Sequence, residues 1–233
     1  MFRALVVTGL VAGLVAGLVL SAVQFGWVTP LILEAERYEH AAEMARSPGG
    51  DSAAQDLPPA GLDTDRILYT LIANTLGGMG FALILAAVVG LHGGHGWGRG
   101  VLWGLAGYAV FFAAPALGLP PEVPGLAGAE LADRQFWWLA TVVATAGGLV
   151  LLLLCRGILL KGAGVLLVLA PHLFGAPPAP VAAALVPDTL IRAYITAVAS
   201  ANAVFWLALG AVTGAVLRRF DPPRPANAAS RAA

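Results

Sequence analysis

Residues 9–20 read "GLVAGLVAGLVL", and this stretch decides the class of fold. It carries no charged side chain, and glycine recurs at every fourth position, as Gly9, Gly13 and Gly17. Residues four apart lie on one face of a helix, and such small-residue faces let helices approach closely in lipid. The stretch therefore predicts a membrane helix with a smooth groove. The groove fits another helix of the chain, a partner helix, or a second copy in a homo-oligomer.

The rest of the chain is just as apolar. Of 233 residues 59% are hydrophobic and 11% are charged, whereas soluble domains carry about 25% charged residues. The apolar runs are continuous and lack the alternation of lipid-facing barrel strands. We therefore predict an all-α integral membrane protein, a polytopic helical bundle surrounded by membrane lipid. With a formal net charge of zero and no basic patch, the chain is not expected to bind nucleic acid.

Six stretches reach the roughly 20 apolar residues that a membrane span requires. The first is too long for the apolar region of a signal peptide, so we expect it to be retained. The fifth is short and carries Lys161 near its start, which leaves five spans as the alternative. The predicted spans are residues 4–29, 67–91, 100–118, 136–155, 157–175 and 190–217.

The charged residues favour six spans, because cytoplasmic loops collect lysine and arginine. With six spans and a cytoplasmic N-terminus, the arginine-rich tail 218–233 also lies inside, as a disordered segment. Asp221 is then the one cytoplasmic acidic residue, and residues 34–66 form an acidic outer loop. We expect a single multi-pass domain, residues 1–233, with both termini in the cytoplasm.

Three prolines lie near the outer ends of the outward-running spans: Pro30, Pro115 and Pro171. A proline within a helix leaves the carbonyl one turn earlier without its donor. At membrane depth such a carbonyl is tolerated only against protein or a water-filled cavity. The prolines either ring an outer vestibule or simply end or kink their helices.

A candidate metal site follows the first span, where residues 32–46 read "ILEAERYEHAAEMAR". In a helix Glu36, His40 and Glu43 fall on one face. Carboxylate and imidazole together suit divalent first-row metals. The alternative is a solvated helix with glutamate–arginine pairs. His172, near a membrane boundary, is a further candidate ligand, or else an interfacial residue that faces water.

The opposite side carries a second histidine pair. Residues 91–100 read "LHGGHGWGRG", and this glycine-rich turn places His92 and His95 three apart. Two imidazoles at this spacing are candidates to share one metal ion, although short histidine-containing turns also occur without metal.

Inside the spans the candidate pathway residues are Asn74, Met79 and Asn202. Amide side chains in lipid seek hydrogen-bond partners, so Asn74 and Asn202 act either as links between helices or as steps for an ion. Met79 offers a thioether within "LGGMG", residues 76–80, where glycines loosen the helix.

No phosphate-binding loop and no nucleophile, metalloprotease or dithiol motif is present, so we do not expect an enzyme. Two functions remain. One is a metal-transport subunit, and the other is a non-conducting membrane scaffold that binds a partner helix through the Gly9, Gly13 and Gly17 face.

Several segments together resemble the CbtA family of cobalt transporter subunits, over nearly the whole chain. They are "VTPLILEAERYE", "GLHGGHGWGRGVLWGLAGY", "APALGLPPEVPG", "DRQFWWLATVVATAGGL", "LAPHLFGAP" and "ANAVFWLALGAVTG". The resemblance implies a subunit of a cobalt importer in the bacterial inner membrane, linked to cobalamin biosynthesis. It also implies a small single-span partner, CbtB, with a histidine-rich tail. Cobalt, or a similar divalent cation, would be the transported substrate, and no permanently bound cofactor is expected. Members of the family are usually given five spans, whereas the charges here favour six.

Overall fold

The structure, a computed structural model, describes residues 2–46, 62–93, 96–126, 128–179 and 186–220. Every regular element in these ranges is helical, which confirms the predicted all-α class. In chain order the elements are α1 (Phe2–Val23), a first π-helical segment (Gln24–Val28), α2 (Thr29–Arg46), α3 (Thr64–His92), α4 (Trp97–Tyr108), a second π-helical segment (Ala109–Ala113), α5 (Ala114–Gly118), α6 (Leu131–Leu154), α7 (Ile158–Phe174) and α8 (Asp188–Arg218).

The first helix is longer than its predicted span. The chain continues without a break from α1 through the first π-helical segment into α2. Phe2–Met44 therefore forms one helix of 43 residues, apolar in its first part and polar in its last. At 1.5 Å per residue it is about 65 Å long, about twice the thickness of the hydrocarbon core. Helix α2 must therefore project from the membrane. Of the roles left open for Pro30, ending the helix is excluded, because the π-helical turn before it carries the chain past the proline.

Parts of two predicted segments lie outside the described residues. The predicted acidic loop, residues 34–66, is helical through Arg46 and again from Thr64, and residues 47–61 are not described. Of the predicted tail, the structure describes only the end of α8 and a turn at Arg219 and Phe220.

Contacts between elements define two ends of the bundle. At one end the N–H of Gly96 donates to the carbonyl of Gly214 at 3.0 Å, so the turn between α3 and α4 lies beside the end of α8. At the other end Ala35, Val123 and Leu190 are buried together, which joins α2 to the start of α8. We call the first the basic end and the second the acidic end, after the side chains described below.

The groove of α1 is filled by α3 of the same chain. A Cβ atom on Gly78 would lie 2.6 Å from the carbonyl oxygen of Gly13, and one on Gly17 would lie 2.7 Å from the carbonyl oxygen of Asn74. Gly9 meets the side chain of Leu83 in the same way. Of the three occupants predicted for this face, another helix of the chain is the one observed, and α3 leaves no room there for a partner helix or a second copy.

A second glycine seam joins α4 to α8. A Cβ atom on Gly214 would lie 2.9 Å from the Cα of Gly100, and one on Gly210 would lie 2.8 Å from the Cα of Gly104. The small residues of α8 thus meet a matching pair in α4. Helices α1, α3, α4 and α8 form the core of the protein around these two seams.

Helices α6 and α7 form a hairpin beside this core. The hairpin contacts the second π-helical segment and α5, toward the acidic end. Toward the basic end, α6 diverges from α3 and α4 and leaves an apolar cavity of about 550 Å³, with Phe81, Trp103, Leu149 and Leu153 among its walls. The core and the hairpin are thus joined at one end and separated at the other.

Helix α7 runs back along the whole of α6. The indole N–H of Trp137 donates to the carbonyl of Pro171 at 3.3 Å, and a Cβ atom on Gly164 would lie 2.9 Å from the carbonyl oxygen of Gly148. Among the described residues, five helices are long and apolar enough to cross a membrane, and α7, at 17 residues, is shorter. Because α7 starts at the basic end and finishes beside Trp137, at the acidic end, the connectivity favours six crossing helices over five.

The seam between α1 and α3 predicts opposite effects of alanine at two glycines. Gly13→Ala places a methyl group against the backbone of α3, and overpacking of this kind costs about 1–3 kcal/mol. Gly77→Ala meets nothing within 4 Å and gains helix propensity of about 1 kcal/mol. We expect thermal unfolding in detergent to show a lower transition for Gly13→Ala and an equal or higher one for Gly77→Ala. Equal effects of the two substitutions would contradict the packing.

Candidate cation pathway

The two ends of the bundle differ in charge. Every carboxylate side chain in the described residues lies at the acidic end, whereas the basic end carries arginine and lysine. The described acidic residues are Glu34, Glu36, Glu39, Glu43, Asp63, Asp65, Glu122, Glu130, Asp133 and Asp188. The described basic residues of the basic end are Arg3, Arg99, Arg156, Lys161, Arg218 and Arg219.

Glu36, one of the predicted metal ligands, is held by an arginine. Both terminal nitrogens of Arg66 lie 3.0 Å from Oε1 of Glu36, and Nη2 lies 3.2 Å from Oε2. Asp63 caps α3 by accepting from the backbone N–H of Arg66 at 2.6 Å, which fixes the start of that helix. A metal ion can therefore reach both oxygens of Glu36 only by displacing the guanidinium.

His40 and Glu43 lie one and two turns beyond Glu36 on the projecting helix α2. His40 is half-buried and Glu43 is exposed. Within the described residues no three His, Cys, Asp or Glu side chains come together as a group able to hold a metal ion. The predicted ligands share a helix face, as their spacing indicates, but they do not converge on one point.

A second ion pair crosses the connection that leads into α6. The guanidinium of Arg134 donates to the carboxylate of Glu122. The pair lies on an open cleft of about 510 Å³ that also includes Gln135 and Trp138. The acidic end is thus partly neutralised by its own arginines.

His172 lies at the acidic end of the hairpin. Its ring packs edge-on against Trp137, with centroids 5.8 Å apart. Its Nε2 atom is buried and has no hydrogen-bond partner among the described residues. A buried nitrogen without a partner is costly, which keeps this atom a candidate ligand. The structure does not group His172 with Glu36 and His40.

A polar network joins α1 and α3 inside the membrane. The amide nitrogen of Asn74 donates to Oγ of Ser21 at 3.0 Å and to Oε1 of Gln24 at 2.7 Å. Ser21 in turn donates to the carbonyl of Gly17 at 2.9 Å. Asn74 therefore links two helices, one of its two predicted roles. Both of these bonds use its nitrogen, which leaves its oxygen as an acceptor.

The other two pathway candidates are arranged differently. The amide nitrogen of Asn202 donates to the carbonyl of Val198, one turn back in its own helix, at 3.0 Å. Met79 is half-buried, and its backbone faces Gly13 across the first seam. Neither is joined to Asn74 by a described side-chain hydrogen bond.

At the basic end only one of the two predicted histidines is described. His92 is exposed; its Nδ1 lies 2.9 Å from the carbonyl of Val88, and its ring lies 5.2 Å from that of Trp103. Gly93 and Gly96 have positive φ angles, 70° and 140°, so the turn requires glycine at both positions. His95 lies outside the described residues, and a metal ion shared by the two imidazoles stays a prediction.

Sequence reasoning allowed for glutamate–arginine pairs on α2, but it missed that the partner of Glu36 comes from α3, and it missed the Glu122–Arg134 pair and the two π-helical segments. Arg66 lies 30 residues from Glu36 along the chain, and no local pattern pairs them. The π-helical segments did leave a signal, because each is followed by one of the prolines singled out from the sequence.

The ion pair between α2 and α3 predicts a measurable coupling. In a double-mutant cycle, Glu36→Gln and Arg66→Gln should each lower the free energy of unfolding, and the double variant should lose less than their sum. Because both side chains are partly exposed, at 19% and 33%, we expect a coupling of about 1 kcal/mol or less. Arg37→Gln, an exposed neighbour on α2, serves as the control. Full additivity would contradict the pair.

The chain matches one family of known proteins. A family model described as "Probable cobalt transporter subunit (CbtA)" covers residues 2–218, nearly all of the described bundle. No curated protein and no solved structure matches the chain significantly.

Proposed function

We propose that this chain, which belongs to the CbtA family of probable cobalt transporter subunits, admits cobalt or a similar divalent cation to the bacterial cytoplasm. The acidic end faces outward in this proposal, and both termini lie in the cytoplasm. The cation is a transported substrate, and the protein holds no permanent cofactor. The link to cobalamin biosynthesis follows from the family resemblance.

The observation that carries the proposal is the separation of charge between the two ends. The described carboxylates are all gathered at one end of a membrane protein, together with some arginines, while the charged residues described at the other end are all arginine or lysine. A surface of one sign concentrates counter-ions and speeds their arrival. The topology rule concerns lysine and arginine, so it does not account for the gathered carboxylates. Attraction of a cation does.

At the acidic end we assign capture of the ion to Glu36, His40, Glu43 and His172. The metal ion displaces the guanidinium of Arg66 from Glu36. His172 contributes its buried Nε2 atom, which has no other partner among the described residues. Nitrogen and oxygen ligands together suit a first-row divalent ion. Water completes the coordination, because these side chains do not form one preassembled cluster.

Farther along, the ion passes Asn74, Met79 and Asn202 and is received at the basic end by His92 and His95. The free oxygen of Asn74 and the thioether of Met79 are weak ligands, and weak binding at several sites is what allows passage. His92 keeps its Nε2 available, since Nδ1 lies against the carbonyl of Val88.

The family description calls the protein a subunit, which implies a partner. We assign this role to a small single-span protein of the CbtB type, whose histidine-rich tail would accept the ion. The rival function, a non-conducting scaffold, had the groove of α1 as its binding face. Because α3 occupies that groove, the scaffold would need another surface.

Uptake of radiolabelled cobalt by vesicles tests the proposal. With the partner present, we expect the unaltered chain to accumulate cobalt and the double variant His40→Ala, His172→Ala to accumulate about tenfold less, since two ligands of about 0.7 kcal/mol each are lost. Gln135→Ala, an exposed neutral side chain at the same end, is the matched control. Absence of uptake with and without the partner would favour the scaffold. An unchanged rate in the double variant would remove those two ligands.

A further inference from the structure

The apolar cavity between the core and the hairpin has no part in the proposed cation pathway. Its volume is about 550 Å³, within the range of ligand-binding pockets. Helices α3, α4 and α6 supply most of its wall, and every wall residue is aliphatic, aromatic or glycine. Because a polar group costs free energy in such surroundings, the cavity fits a hydrocarbon chain and does not fit an ion.

The cavity is reached from the lipid-facing surface of the bundle. Ile84, Val143 and Leu153 belong to its wall and are exposed. Their helices, α3 and α6, are long and apolar enough to cross the membrane. Exposed apolar side chains in such helices face lipid, so an acyl chain can enter the cavity from the side.

Along α4 the apolar wall leads to a positive charge. Trp103, Ala106 and Val110 line the cavity, and their spacing places them on one face of the helix. Arg99 precedes Trp103 by four residues and is exposed. It therefore lies on the same face, one turn nearer the basic end.

The other two walls bring further polar groups to this end. Helix α6 ends at Leu154, its last wall residue, and Arg156 follows two residues later, within about 7 Å of backbone. On α3, His92 lies one turn beyond the wall residue Val88, and its ring lies 5.2 Å from that of Trp103. Two arginines and a histidine thus flank the mouth of the cavity, and no described carboxylate lies at that end.

The depth of the cavity matches one leaflet of a bilayer. Val110 follows Arg99 by eleven residues, which is about 16 Å along a helix, and half of the hydrocarbon core is about 15 Å thick. A transmembrane helix needs about twice that length. Toward the acidic end, α6 contacts the second π-helical segment and α5, which close the space. The cavity therefore suits an acyl chain of one leaflet better than a partner helix.

We infer that the cavity and the arginines at its mouth form a binding site for an anionic phospholipid of the leaflet at the basic end. One acyl chain packs against the wall of α4 and α6, and the phosphate accepts hydrogen bonds from Arg99 and Arg156. Guanidinium groups pair well with phosphate, and basic pockets between transmembrane helices bind anionic headgroups. The lipid joins the core to the hairpin where α6 diverges, and its binding is independent of cobalt transport.

Lipid binding to the purified full-length chain tests the charged part of the site. Native mass spectrometry compares phosphatidylglycerol, which is anionic, with phosphatidylcholine of the same acyl chains. We expect one phosphatidylglycerol to bind more tightly than phosphatidylcholine. Arg99→Gln and Arg156→Gln should each weaken its binding about fivefold, as for one basic residue at an anionic lipid surface. Arg3→Gln, an exposed arginine at the same end on a helix that does not line the cavity, is the matched control and should bind as the unaltered chain does.

A second variant tests the apolar part. Ala146 is a half-buried wall residue, and Ala146→Phe places a ring in the space of several methylene groups. We expect binding of both lipids to fall about tenfold, because their dispersion contacts are lost together. Ala140→Phe, at an exposed alanine of the same helix outside the wall, is the control. Thermal unfolding without added lipid monitors folding, and Ala106→Phe, on the α4 wall, decides if Ala146→Phe folds poorly.

Three outcomes would overturn the site. One is equal affinity for the two lipids, and another is unchanged phosphatidylglycerol binding when both arginines are replaced. The third is unchanged lipid binding in a stable Ala146→Phe variant that retains less of a single-span partner during purification. The cavity would then hold a helix of that partner and not an acyl chain.

Discussion

Close approach of helix backbones at glycine is the constraint on which this structure depends. Lipid gives two helices little hydrophobic reason to associate, so contact must come from dispersion between closely packed backbones. Gly13 against Gly78 and Gly100 against Gly210 allow that approach in the two seams of the core. The aromatic cluster of Phe81, Phe111 and Trp206 fills the space between the seams, with ring centroids 5.1–5.5 Å apart. The hairpin of α6 and α7 contacts this core through the second π-helical segment and α5.

The lipid environment also makes any break in the regular backbone hydrogen bonding of a helix costly. In lipid a helix satisfies nearly all of its own backbone groups, so an oxygen without a donor stands out. Neither proline that follows a π-helical segment has an N–H to donate to the preceding turn. The first of these segments lies next to a network of amide and hydroxyl groups. The lipid environment thus explains both the close packing at the glycine seams and the significance of carbonyls without a donor at the π-helical turns. The close packing holds the bundle together.

Some carboxylates of the acidic end are already paired with arginines, which the sequence alone does not indicate. Arg66 and Arg134 each engage a carboxylate, so part of the negative surface is already compensated. In the proposed function a divalent ion competes with these guanidinium groups, and a multiply charged ion competes better than a singly charged one. The described residues contain no preassembled group of three metal-binding side chains.

The sequence by itself determined the all-α membrane class, the location of the helices, the division of charge and the small-residue faces of α1 and α8. These follow from composition and from spacing along a helix, which are local properties. Only the tertiary structure decided that α3 fills the groove of α1, that Arg66 holds Glu36, and that the first helix continues past Pro30 as far as Arg46. The first two depend on which helix surfaces meet, and the third depends on the π-helical turn that accommodates the missing N–H of Pro30. The spacing of residues along the sequence predicts none of these. Sequence reasoning singled out Asn74 and His172 by the chemistry of their side chains. Their contacts come from other helices, and only the tertiary structure shows them.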